Sequence, residues 1–167
     1  MFKNKISIVT ISFNQSKFLE ECINSVIRQN YENLEYIVVD GGSKDNSREI
    51  ISKYKDQIKV IFQEINTGPA DALNIGFNNS TGELCGYINS DDFLLKNSLE
   101  KVNDYFIKYP NVDLIYGNGV IVDEASFFKR RMISRDFNSN SFKFTYNQIN
   151  AILKKLWKPF MFYERKD

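Results

Sequence analysis

Five short apolar runs limit what this chain can fold into: Ile6–Ile11, Glu35–Val39, Ile58–Phe62, Leu84–Ile88 and Asp113–Tyr116. Each is four to six residues long and rich in β-branched or aromatic residues, the signature of a buried strand. Helical patterns separate them. Phe18, Leu19, Cys22, Ile23, Val26 and Ile27 make one apolar stripe, and Leu99, Val102, Tyr105 and Phe106 make another within Lys96–Lys108. Gly68-Pro69 opens a third helix that runs to about Asn79, and Asp45 is placed to cap the helix that follows the second strand. Strands alternating with helices at this pace require parallel pairing through right-handed crossovers, which predicts a doubly wound α/β sandwich.

The pattern changes after Gly117. Val120–Val122 and Ser126–Arg130, separated by Asp123-Glu124-Ala125, predict a β-hairpin and so a small antiparallel edge. Residues 134–147 read as loop, and Ile149, Ile152, Leu153, Leu156 and Trp157 form a helical stripe that Pro159 stops. We divide the chain into a ligand-binding domain at 1–125 and an abbreviated basic tail with an amphipathic helix at 126–167. Residues 129–167 hold ten of the 22 basic groups and three of the 21 acidic ones. With Lys154, Lys155 and Lys158 beside it, the tail stripe can either pack on the sheet or lie peripherally on an anionic membrane. The basic groups carry no nucleic-acid-binding motif, so no nucleic-acid partner is expected.

Composition narrows the chemistry. The chain has no histidine, which excludes Ser/His and Cys/His triads and zinc–histidine sites. Cys22 and Cys85 lack metal-ligand spacing and read as buried thiols of a reducing compartment. No apolar stretch reaches the length of a membrane span, so the expected location is the cytoplasm, with the inner face of the cell membrane as the alternative.

Open parallel sheets bind ligands beyond the carboxyl ends of their strands, where Ser12–Asn14, Asp40–Ser43, Glu64–Asp71 and Asn89–Asp92 fall. Carboxylates in Asn89-Ser90-Asp91-Asp92 suit a hard divalent cation such as Mg²⁺ or Mn²⁺; the same run could instead cap the next helix. Asp40 stands between an apolar strand and two glycines, where it could accept a hydrogen bond from a base or a ribose, or start an Asx-turn. Gly68 allows close backbone approach to a ligand, and Asp71 sits in the first turn of the helix it opens.

In order and spacing, the segments Ile8–Asn14, Val38–Asp45, Gly68–Gly76 and Asn89–Asp92 closely resemble family 2 glycosyltransferases over about residues 5–125. The resemblance implies a GT-A fold, a nucleotide-sugar donor, a divalent metal and transfer with inversion. By the same resemblance Thr10, Ser12 and Asn14 line the nucleotide pocket, Asp40 contacts base or ribose, and Asp71 faces the nucleotide. Asn89 takes the first position of the family's D-x-D element and contacts ribose or sugar, Asp91 takes the metal position, and Asp92 completes the donor site. The acceptor is expected to be a glycan or lipid-linked. None of Glu100, Asp104, Asp113, Asp123, Glu124, Asp136, Glu164 or Asp167 stands in the family's base motif, so the chain resembles a donor half with a shortened tail. A binding module without turnover is the alternative.

Overall fold

A computed structural model describes residues 3–132 and the backbone of 161–164. The elements run β1 (Ile6–Ser12), α1 (Leu19–Ile27), β2 (Leu34–Asp40), α2 (Ser47–Ser52), β3 (Lys59–Phe62), α3 (Pro69–Asn78), β4 (Leu84–Asn89), α4 (Ser98–Lys108), β5 (Leu114–Tyr116), β6 (Gly119–Val122), β7 (Phe128–Met132) and β8 (Met161–Glu164). The α/β alternation expected from the sequence is present.

The main sheet has the order β3-β2-β1-β4-β8-β5, and β6 pairs with β7 separately. The strands β3, β2, β1 and β4 are parallel neighbours. The short run that forms β8 has no periodicity of its own and was not expected as a strand. It enters antiparallel between β4 and β5, so the fifth expected strand lies at the sheet edge rather than against β4. The β6–β7 hairpin is antiparallel as expected, with a bulge between Ile121 and Val122. The loop expected at 134–147 and the helix expected at 149–157 lie outside the described residues.

Strand alternation sorts the core onto the two faces of the sheet. Ile6 and Ile8 of β1, with Tyr36 and Val38 of β2, pack against Leu19, Cys22, Ile23 and Val26 of α1 and Leu99 and Phe106 of α4. On the other face Val9, Ile37 and Val39 pack against Ala72, Leu73 and Phe77 of α3. Gly76 lets α3 sit close to β1, because a Cβ there would stand 2.3 Å from Val9 Cγ1.

The amino end of the sheet is locked by a partly buried polar knot. Ser7 Oγ donates to Glu35 and accepts from the Gly82 N–H at 2.8 Å, while Thr81 donates to Glu35 through its N–H at 2.7 Å and its hydroxyl at 2.9 Å. Burial pushes the Glu35 carboxyl upward, but these hydrogen bonds and Lys5 outweigh it and hold it down to about 2.

Two helix starts carry detail beyond the expectation. Asn46 occupies the N-cap position of α2, but the capping contact comes from Asp45 as expected: its carboxylate accepts from the N–H of Ser47, the first residue of the helix (3.0 Å), and reaches back to the Ser16 N–H (2.9 Å). The helix expected from Lys96 begins at Ser98, after Asn97 turns the chain at φ 61°. Its first N–H groups are met from the turn just after α1, where Gln29 Oε1 accepts from Ser98 (2.9 Å) and Leu99 (3.4 Å).

Gly76→Ala is expected to lower the unfolding free energy by about 1–3 kcal/mol in a urea titration, despite alanine's better helix propensity. Adding Val9→Ala, which clears the clash, should recover part of that loss. An unchanged midpoint for Gly76→Ala would show that α3 does not depend on this close approach.

Candidate donor-binding site

The register aligns the strand ends that carry the candidate residues. Ser12 pairs with Asp40, Ile11 with Asn89, and Asp40 with Phe62. At the usual strand spacing, Asp40 and Asn89 are separated by two gaps, roughly 10 Å. That is a span a nucleotide can bridge between its base or ribose and its diphosphate.

The loops after β1 and β2 hold each other. Gly41 N–H donates to Ser12 O (2.8 Å), Asn14 N–H to Ser43 Oγ (2.8 Å), Lys44 N–H to Asn14 Oδ1 (2.8 Å), and Gln15 N–H to Ser47 Oγ (3.0 Å). Asn14 makes this clasp in the left-handed region at φ 53°, a conformation asparagine tolerates better than most residues. Its side chain is therefore committed to the loop. Burial raises the Asp45 carboxyl, but hydrogen bonds from Ser47 and Ser16 prevail and bring it down to about 2.

Asp40 is fully buried. Its Oδ1 accepts from the N–H groups of Gly42 (3.2 Å) and Ser43 (3.0 Å) and from Arg48 Nε (2.9 Å), so the Asx-turn weighed for this residue forms. The turn uses one oxygen only. Among the described residues, Asp40 Oδ2 and Ser12 Oγ are buried with no hydrogen-bond partner. Strand register and alternation put both side chains on the α1/α2 face at the open end of the sheet. Buried polar atoms are nearly always satisfied, so two bare acceptors at adjacent strand ends mark where a donor group belongs.

Thr10, two residues earlier on the same face, is placed differently. It is fully buried, and its hydroxyl is 2.9 Å from the Tyr36 hydroxyl. That puts it inside the core, behind the strand end, because only the last residue of β1 reaches the carboxyl edge of the sheet.

Asp71 is half-buried in the first turn of α3 and accepts from the Thr67 hydroxyl, which also accepts from Gln63 Nε2 at 3.3 Å. Two further unpartnered buried atoms, Gln63 Oε1 and Asn74 Oδ1, belong to the residue just after β3 and to α3 itself. Sequence reasoning singled out neither of these side chains. Gln63 could have been found from its place directly beyond a strand end, and Asn74 lies inside the Gly68–Gly76 stretch already marked.

At the end of β4, Asp92 N–H donates to Asn89 O (3.1 Å) and Asn89 Nδ2 to Asp92 Oδ2 (3.3 Å), which folds Asn89–Asp92 into a tight turn. Burial pushes the Cys22 thiol up to about 12, so it stays protonated and donates to Asn89 O at 3.3 Å. With α4 starting at Ser98 and satisfied by Gln29, Ser90 and Asp92 do not cap that helix. Asp91 is exposed and Asp92 half-buried, and among the described residues neither joins an ion pair. Burial first, and then the neighbouring Asp91 charge, push the Asp92 carboxyl up to about 6 against the Asn89 hydrogen bond.

Two uncompensated carboxylates of this kind fit a hard cation. No group of three or more His, Cys, Asp or Glu side chains able to hold a metal occurs among the described residues. A cation here would therefore complete its shell with ligand oxygens and water, as Mg²⁺ characteristically does with phosphates.

The sequence profile of Glycosyl transferase family 2 matches residues 7–166, extending past the point near 125 where the motifs end. An uncharacterized glycosyltransferase of Nostoc sp. is 35% identical over 132 residues, covering 73% of this chain and 41% of its own length. Glycosyltransferase GlyG of Streptococcus pneumoniae serotype 4 is 35% identical over 123 residues, covering 72% and 40%. The chain thus spans about two fifths of the length of these relatives. Among solved structures, S. aureus TarS 1–349 in complex with UDP-GlcNAc superposes with a TM-score of 0.64 at 27% identity, covering 67% of this chain and 33% of that one. A mannosyltransferase from Pyrobaculum calidifontis, solved with GDP-Man and Mn²⁺, gives a TM-score of 0.62 at 18% identity over 74% and 37%, a likeness of fold alone. No helix among the described residues is long and apolar enough to cross a membrane. With a GT-A-like sheet and a profile match along nearly its whole length, the chain belongs to glycosyl transferase family 2.

Proposed function

We propose that this chain is the donor-binding part of an inverting glycosyltransferase that moves a sugar from a nucleoside-diphosphate-sugar to a glycan or lipid-linked acceptor. The observation that carries this reading is the pairing of two bare buried acceptors, Asp40 Oδ2 and Ser12 Oγ, with an uncompensated carboxylate pair two strands away. Asp40 Oδ2 accepts from a base N–H or a ribose hydroxyl, and Ser12 meets the same nucleoside. Asn14 shapes the pocket through its clasp on Ser43 and Lys44, and Thr10 supports Ser12 from below. Asp71 faces the nucleotide from α3, and Asn89 offers its amide to a ribose or sugar hydroxyl. Asp91 and Asp92 hold the divalent cation, Mg²⁺ or Mn²⁺, together with the diphosphate. Such a cation neutralises the charge that develops on a departing diphosphate.

A second reading, a nucleotide-sugar-binding module without turnover, is favoured by the state of the later acids. Glu100, Asp123 and Glu124 are each ion-paired, with Lys3, Lys129 and Lys17, and so are poorly placed to take a proton from an acceptor hydroxyl. Release of nucleoside diphosphate from UDP-GlcNAc or GDP-Man with a panel of hydroxyl acceptors decides between the two. Donor binding without release supports the second.

Because Asp91 is exposed and unpaired, Asp91→Ala should fold normally and lose the Mn²⁺-dependent part of donor affinity by more than about tenfold, measured by calorimetric titration. Unchanged Mn²⁺ dependence would remove Asp91 from the metal site. The raised Asp92 carboxyl sets a pH dependence as well. Without a cation, the stability linked to its proton is whole below the unfolded carboxyl's range and is lost as pH rises through about 6. Metal binding needs the ionised form, so the Mn²⁺-dependent affinity should fall as pH drops from 7 to 5, and Asp92→Asn should abolish that step. A wild-type profile that stays flat over this range would contradict it.

A further inference from the structure

We propose that Arg48 is a positioning residue of the nucleoside pocket: it anchors one oxygen of Asp40 so that the other is left bare and fixed in direction. The inference rests on the reading that Asp40 contacts the nucleoside.

All three donors to Asp40 converge on Oδ1. Two are backbone N–H groups of its own turn, at 3.2 and 3.0 Å, and these alone would leave the carboxylate free to rock about its terminal torsion. The third, Arg48 Nε at 2.9 Å, comes from a separate element, α2. Arg48 is itself held at two more points. Its second nitrogen donates to the Gln63 carbonyl just beyond β3, and its guanidinium lies 5.1 Å from the centre of the Phe62 ring. The side chain thus ties the ends of β2 and β3 to α2, and the rigid fork of the guanidinium sets the distance between them. Exposure points the same way: the Asp40 side chain is 0% exposed and that of Arg48 36%. The carboxylate is the desolvated partner and Arg48 its counter-charge, which leaves the bare oxygen to accept from a ligand. Lysine could supply the charge but not both arms of the fork.

A double-mutant cycle on the full chain tests this, with UDP and GDP as probes in the presence of Mn²⁺ and thermal melting alongside. Arg48→Met should weaken binding of the preferred probe by about 10- to 100-fold, the range expected for a misplaced charge-assisted hydrogen bond. The same change in an Asp40→Asn background should cost less than about twofold. Arg48→Lys should fall between Arg48→Met and wild type, a partial rescue that a purely structural role does not require. If Arg48→Met does not fold, Arg48→Lys carries the same comparison, with weakening confined to the Asp40 background. Equal losses in both backgrounds, or no loss with Asp40 intact, would overturn the positioning role while leaving Asp40 in the pocket. If Asp40→Asn alone left affinity unchanged, the nucleoside contact of Asp40 and the role of Arg48 would fail together.

Discussion

The in-register pairing of β1 with its two parallel neighbours is the constraint on which the rest depends. β1 pairs with β2 over seven positions and with β4 over six. A slip of one residue in the β1–β2 ladder would turn every side chain of β2 to the opposite face, carrying Asp40 to the α3 side and Val39 to the α1/α2 side. The register is fixed at the amino end by Glu35, which gathers Ser7 of β1 and Thr81, just before β4, onto one carboxylate of β2. With those ends tied, the carboxyl ends of β1, β2 and β4 come level, Ser12 and Asp40 sharing the α1/α2 face and Asn89, paired with Ile11, falling on the alternate parity.

At that end of the sheet the chain stops satisfying its own polar groups. The knot around Glu35 leaves no bare acceptor among the described residues, whereas Ser12, Asp40, Gln63 and Asn74 each keep one. A bare buried acceptor costs stability of about 1–3 kcal/mol. The raised Asp92 carboxyl tells the same story in charge: burial and Asp91 work against its ionisation, and the Asn89 hydrogen bond relieves them only in part. Polar strain is concentrated at the strand ends to which we assign the nucleoside and the cation-bridged diphosphate, beside the loop clasp through Asn14, Ser43 and Ser47.

Much of this was legible in the sequence, for local reasons. Strands, helices and the β6–β7 hairpin follow from periodicity and turn residues, and a strand followed by Asp40-Gly41-Gly42 or Asn89-Ser90-Asp91-Asp92 marks a carboxyl-end loop without any structure. What escaped depends on contacts far apart in the chain. β8 is four residues long and is a strand only because β4 and β5 flank it. Thr10 and Ser12 share a face and a residue class, and what separates them is that Tyr36, 26 residues away, and Cys22 meet the Thr10 hydroxyl while Ser12 Oγ has no partner. The split of Asp40 into one saturated and one bare oxygen likewise needs Arg48, whose place on α2 gives no hint that it reaches β3.

The most direct measurement of the central claim is a map of backbone amide shifts on adding UDP or GDP with Mg²⁺ to the ¹⁵N-labelled chain. Binding across the strand ends predicts perturbations at residues 12–16, 41–48, 63–71 and 89–92, with Glu35 and Thr81 at the opposite end unmoved. Shifts centred on that opposite end, or none at saturating nucleotide, would contradict a donor site at the carboxyl edge of the sheet.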